Sequence, residues 1–346
     1  MLSLQAKRNN LFWFTVYCLL FTVFISSCGN KNEIKEKSVA GDSAFPDIVS
    51  LNQKIENDRN NGELYFQRAK LRFSHQDFQN AIADMQIVLK IDSTKSNYYI
   101  FLSDLYFTQN KSNDTRTMLR KAIKLDSSSA EALMKYSELF FLMKKYDTAM
   151  FYVNRSLHYD RTNHLTYFQR GMILKEWGDT AKAIESFQTA VELNQKYFEA
   201  YMQLGILNSA VKNPLALEYF NTALQLDPKS IEARYAKGFF LQSTNDFENA
   251  LKEYNKILEL YPDHLDATFN IGAILHEQKK YKDAMEKFTS ILSKDANFYR
   301  AYYGMGRCYE AQGQKQKAIE EYKKCLSIKP DFTLAARQLE IIEGGK

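Results

Sequence analysis

The stretch that decides the fold is GRCYEAQGQKQKAIEEYKKCLSIKP, residues 306–330. It opens on a small residue, Gly306. Ala318 stands twelve residues on, Tyr322 four further, Cys325 three beyond that, and Pro330 closes the stretch. Stepping upstream from Ala318 gives Ala284, Ala250, Ala216, Ala183, Ala149, Thr115 and Ala81, at intervals of 34 residues except for 33 between Ala183 and Ala216. Stepping from Gly306 gives Gly272, Gly238, Gly205, Gly171, Ser137, Ser103 and Ala69, each inside an apolar segment of helical period. Four residues after each member of the first series comes a large apolar side chain, from Met85 and Leu119 to Phe288 and Tyr322. The pattern predicts a helical hairpin written about eight times. Small residues on the two helices face each other to let the axes approach, and the large residue fills the space one turn along.

A period of ~34 residues in paired helices is the signature of a solenoid, an architecture that mostly binds rather than catalyses. The phrases Gly306-Arg307-Cys308-Tyr309 and Ala318-Ile319-Glu320-Glu321-Tyr322, followed by Pro330, resemble tetratricopeptide repeats. Pro228 and Pro262 also stand twelve residues after a repeat alanine, where proline stops the second helix. Ser93, Ser127, Arg161 and Gln195 hold that place in earlier repeats. Phe66-Gln67-Arg68-Ala69 and Phe168-Gln169-Arg170-Gly171 share a phrase across the two halves. The resemblance runs from Gly62 to Phe332. It implies an all-α, right-handed α-solenoid of about eight helix pairs, with the array at 62–332, a half-repeat cap at 45–61 and a capping helix at 333–346. The repeat from Phe198 is one residue short and carries Pro214 between its helices, so a shortened turn and a bend are expected near Asn213-Pro214.

The beginning of the chain is chemically different. Lys7 and Arg8 precede about fifteen nearly apolar residues, Leu11 to Ile25. That is short of the roughly 20 that span a bilayer and fits the ~7–15 of a signal-peptide core. The run ends in Ile25-Ser26-Ser27-Cys28-Gly29, which resembles the bacterial lipobox. The resemblance implies a signal peptide at 1–27, a diacylglycerol thioether on Cys28 with fatty acylation of the new amine, and a polar tether at 28–44. An uncleaved anchor helix and a chance match in an ordinarily secreted chain are the competing readings. Gly29 stands where Asp causes inner-membrane retention in the best-known sorting rule, so the expected location is the outer membrane, lipid-anchored and facing the periplasm.

No reaction centre is legible. The five histidines are scattered among separate repeats, and His276-Glu277-Gln278-Lys279-Lys280 lacks the second histidine of a zinc-protease helix. There is no phosphate loop and no nucleophile elbow, so no catalytic, cofactor-binding or metal-binding residue is assigned, and the chain reads as not an enzyme. Net charge is +5. Removing Lys7 and Arg8 from the 46 basic residues leaves 44 against 41 acidic ones, or +3, with alternating signs and no basic stripe for nucleic acid. Cys308 and Cys325, both in the last repeat, read as core thiols, with a disulfide between them as the alternative.

In tetratricopeptide arrays the first helices of successive pairs line a groove. By that register one groove column is Phe66, Ile100, Met134, Phe168, Met202, Tyr235, Phe269 and Tyr303. A second is Phe73, Phe107, Phe141, Lys175, Ser209, Gln242, His276 and Glu310, apolar at its start and polar at its end. Either these rings fill gaps between repeats or they form a trough for an extended peptide or amphipathic helix. The function read from the chain is a scaffold binding protein or peptide partners of the cell envelope, in assembly or transport at the outer membrane. A carrier or sensor of a glycan fragment or lipid in the same trough is the alternative.

Overall fold

The computed structural model describes residues 45–344, whose regular structure is entirely α-helical. The expected leader, Cys28 and tether lie outside these residues. The chain divides into two compact units, one ending at Lys111 and one beginning at Ser112.

The first unit holds α1 (Pro46–Asn57), α2 (Gly62–Ser74), α3 (Phe78–Ile91) and α4 (Ser96–Thr108). Helix α1 starts with Pro46 in its first turn, where the missing N–H costs nothing, and buries Ile48, Leu51 and Ile55. It packs on α2, which forms an antiparallel hairpin with α3. The Asp84 carboxylate of α3 is buried between two guanidiniums of α2, Arg68 at 2.6 Å and Arg72 at 2.9 Å. Arg68 also donates to Asn52 Oδ1 of α1 at 2.6 Å, so one charged cluster fixes the register of three helices.

The second unit opens with α5 (Ser112–Leu125), which packs on α6 (Ala130–Leu142). Helix α6 pairs with α7 (Tyr146–Tyr159), α8 (His164–Trp177) with α9 (Thr180–Leu193), and α10 (Phe198–Ala210) with α11 (Leu215–Leu226). The later pairs are α12 (Ile231–Ser243) with α13 (Phe247–Leu260), α14 (Leu265–Glu277) with α15 (Tyr281–Lys294), and α16 (Tyr299–Ala311) with α17 (Lys315–Ile328). Helix α18 (Thr333–Gly344) covers α17 and buries Ala335. Within each unit every pair packs on the next, which is the solenoid arrangement. Helices α4 and α5 hold the two places of one repeat by sequence register, one in each unit.

The small-residue columns behave differently from the small-facing-small expectation. The repeat alanines are fully buried, but Gly171, Gly205, Gly238, Gly272 and Gly306 each face the large ring of their own pair's second helix. A Cβ built on Gly272 would lie 2.7 Å from Cε1 of Phe288. Glycine accompanies a ring at Phe187, Phe220, Tyr254, Phe288 and Tyr322, whereas Ala69 and Ser137 accompany the smaller Met85 and Val153. The two positions share one volume, and interiors packed to crystal density leave no slack.

Each turn between the helices of a pair carries one left-handed residue: Gln76, Asn110, Lys144, Gly178, Lys212, Asn245, Lys279 and Gly313. The following N–H reaches back to close a Schellman-type turn, as when Asp179 N–H donates to the Leu174 carbonyl at 2.9 Å. The short repeat keeps this turn intact, contrary to the shortened turn expected from Pro214. Gly205 to Asn213 is the same eight-residue step as Gly171 to Asp179. The missing residue is taken from the first turn of α11. There Ala216 N–H donates to Asn213 O and Leu217 N–H to Pro214 O, a 3₁₀ pattern, whereas Ala183 N–H donates to Asp179 O four residues back.

Cys308 and Cys325 are both free and fully buried. Cys308 packs with Phe288 and Ile291, and Cys325 with Tyr322 and Ala335, in separate core clusters.

Candidate partner-binding face

The two columns belong to the first helix of each pair. In the first unit Phe66 and Ile100 are buried, and Phe73 and Phe107 are half-buried. Phe66 makes a T-shaped contact with Tyr98, with rings 4.8 Å apart, and the Lys70 ammonium lies over the Phe66 ring at 4.0 Å. Phe73 lies 5.7 Å from both Phe78 and Phe101. In the second unit Phe168 and Met202 are buried, while Met134, Phe141, Tyr235, Phe269 and Tyr303 are half-buried.

A repeated three-ring cluster engages four members of the first column. Phe168 sits between Phe187 and Tyr197, Tyr235 between Tyr254 and His264, Phe269 between Phe288 and Phe298, and Tyr303 between Tyr322 and Phe332. The third ring stands just before the next first helix, and His264 also caps that helix, its Nδ1 accepting from Ala267 N–H. The sequence columns missed this partner, although the same 34-residue register contains it.

The polar end of the second column is largely spoken for. The Tyr254 hydroxyl donates to Gln242 Oε1 at 2.9 Å and accepts from Asn270 Nδ2 at 3.1 Å. The Tyr322 hydroxyl donates to Glu310 Oε2 at 2.6 Å. Burial pushes both phenol pKa values well up, so these rings stay neutral donors. Lys175 Nζ donates to Gln203 Oε1 at 3.0 Å, and burial lowers its pKa. His276 Nε2 lies 3.4 Å from the Arg307 carbonyl oxygen.

What stays accessible on the first-helix face of the second unit is different from either column. Phe239 is 44 % exposed. Glu199 and Glu232 are exposed near the starts of α10 and α12, and no described cation pairs with either. Partial desolvation raises the Glu232 pKa, and the Glu199 charge adds to it. Next along, Asp266 is neutralised by Arg300 of α16. Among the described residues no group of three His, Cys, Asp or Glu side chains is placed to hold a metal. No described helix is long and apolar enough to cross a membrane.

Three family models, each described as Tetratricopeptide repeat, match residues 165–197, 241–297 and 299–332. These stretches are tetratricopeptide repeats. A tetratricopeptide repeat protein from Parabacteroides merdae has a similar fold, with 17 % identity, a TM-score of 0.54, and cover of 72 % of this chain and 98 % of that one. The C-terminal part of a TPR repeat-containing protein from Cytophaga hutchinsonii gives 18 % identity and a TM-score of 0.52, over 65 % of this chain and 93 % of that one. The tetratricopeptide chain is also 32 % identical over 114 residues to BBSome complex member BBS4 of Bos taurus, across 31 % of its own length. It spans 21 % of that relative.

Proposed function

We propose that this tetratricopeptide protein is a lipid-anchored scaffold of the bacterial cell envelope, held at the outer membrane through Cys28, whose first-helix face binds protein or peptide partners in assembly or transport. Arrays of this kind are in general noncatalytic platforms whose successive helix pairs present an extended surface. The binding reading is supported by the accessible strip on the second unit, where the Phe239 ring and the uncompensated carboxylates of Glu199 and Glu232 are presented by neighbouring first helices. Such a strip suits a segment offering an apolar anchor and a basic side chain. The aromatic trough that a glycan or lipid carrier would use is mostly consumed by the chain's own three-ring clusters, which favours the scaffold over the carrier. The membrane reading rests on the lipobox-like residues Ile25 to Cys28.

Two measurements test this. Metabolic labelling with a fatty-acid probe marks the wild-type chain and leaves Cys28→Ser unlabelled; label on the serine variant contradicts the anchor. Affinity capture from gently solubilised membranes returns a partner that Phe239→Ser with Glu199→Lys loses; retention of every partner by that variant contradicts the assigned face.

A further inference from the structure

In the second unit the turns linking the two helices of each pair follow one another along one edge, and three neighbouring turns there bring exposed apolar side chains together with lysines. Leu142 is 57 % exposed, Trp177 49 % and Val211 68 %, with Met143 beside them. Met143, Trp177 and Val211 occupy one repeat position on three neighbouring pairs, immediately before the left-handed residue; later repeats place Thr244, Gln278 and Gln312 there. Lys144, Lys145 and Lys212 flank the apolar group, and Lys279 and Lys280 continue the charge along the same edge. All five lysines are exposed, and none pairs with a described carboxylate. Of the acids nearby, Asp179 pairs with Lys182 at 2.8 Å and Glu176 lies near Lys175 at 3.7 Å, while Asp147 and Asp283 stand exposed in the first turns of α7 and α15.

Three of these lysines, Lys144, Lys212 and Lys279, have φ near +54° to +60°. That backbone conformation favours glycine, which Gly178 and Gly313 supply in sister turns. Lysine there is a stability cost retained three times along one edge. We infer that this edge docks on an anionic phospholipid surface, with the Trp177 indole and the Leu142, Met143 and Val211 side chains entering the headgroup region and the lysines facing lipid phosphates. This contact is separate from any anchor on Cys28.

The test uses the full chain carrying Trp13→Phe, which leaves Trp177 as its single indole. Phosphatidylcholine vesicles containing brominated acyl chains are added with and without phosphatidylglycerol. The expected result is a blue shift and bromolipid quenching of Trp177 with phosphatidylglycerol only. The triple variant Lys144→Gly, Lys212→Gly, Lys279→Gly weakens that quenching, by roughly fivefold in lipid concentration per lysine, while melting no lower than its parent. Emission that ignores the anionic vesicles overturns the inference, as does equal quenching of parent and triple variant. Residue 177 reports only its own surroundings, so a chain held merely by its N-terminal segment gives no quenching. Failure here is therefore distinguishable from failure of the lipid anchor.

Discussion

The Phe187 ring lies directly over the bare Cα of Gly171: a Cβ built there would come within 2.6 Å of Cε1 and 2.7 Å of Cδ1. The helix spacing of that hairpin is set by a glycine and a ring that divide one volume between them.

Gly171→Ala overfills this space and is expected to cost about 1–3 kcal/mol. Phe187→Leu alone leaves a cavity and is also destabilising. Combined, the two changes approach the Ser137–Val153 solution already used one repeat earlier. The double variant should therefore be more stable than the sum of the single losses predicts, by about 1 kcal/mol or more in a urea-unfolding cycle. Simple additivity would show that the two side chains do not share the space.

The left-handed turn residues give a prediction of opposite sign. Lys144→Gly, at φ 57°, is expected to stabilise by about 0.5–1 kcal/mol. Gly178→Ala, at φ 97°, is expected to destabilise by about 1 kcal/mol, although nothing lies within 4 Å of its added methyl. Urea midpoints at constant m-value read both.

Cys308 and Cys325 have thiol pKa values pushed up to about 11 by burial. At pH 8 only about one thiol in a thousand is ionised, and neither is accessible. Alkylation by iodoacetamide should be negligible in the native protein and complete in denaturant, with no mass change on reduction. A disulfide-linked species, or fast native labelling, would contradict the separate packing of the two side chains.

Glu253 is buried between Arg234 at 3.1 Å and Lys237 at 2.8 Å. Burial disfavours its charge, but the Lys237 hydrogen bond and charge, with help from Lys256 and Arg234, outweigh that and hold the pKa below the usual carboxylate value. A depressed folded-state pKa stabilises above the unfolded value, and the contribution is lost as pH falls through the folded one. Glu253→Gln should therefore cost about 3 kcal/mol at neutral pH. Below about pH 4 its deficit against wild type should shrink. A deficit independent of pH would assign the loss to packing rather than charge.

The period made the hairpin repeat legible, because a buried helix face needs apolar residues at fixed intervals however the neighbours vary. The facing of those residues was less legible. Gly272 against Phe288 and Ser137 against Val153 are volume trade-offs that show only when two columns are compared repeat by repeat. The shortened first turn of α11 was hidden because deletion of one residue looks alike in a turn and in a helix end. Of the candidate groove residues, Phe168 proved buried because the Tyr197 ring arrives from the following repeat, and Met202 because it joins the cluster of Phe220 and Phe240. Phe239 escaped that fate, and only packing distinguishes the two cases.

The most direct test of the account is in-cell photocrosslinking from a photoreactive residue placed at Phe239, on the accessible first-helix face, compared with one at Lys252, exposed on the second-helix side of the adjoining α13. The account predicts a discrete adduct with an envelope protein from position 239 that Glu199→Lys removes, and none from position 252. No adduct from 239, or the same adducts from both positions, would contradict it.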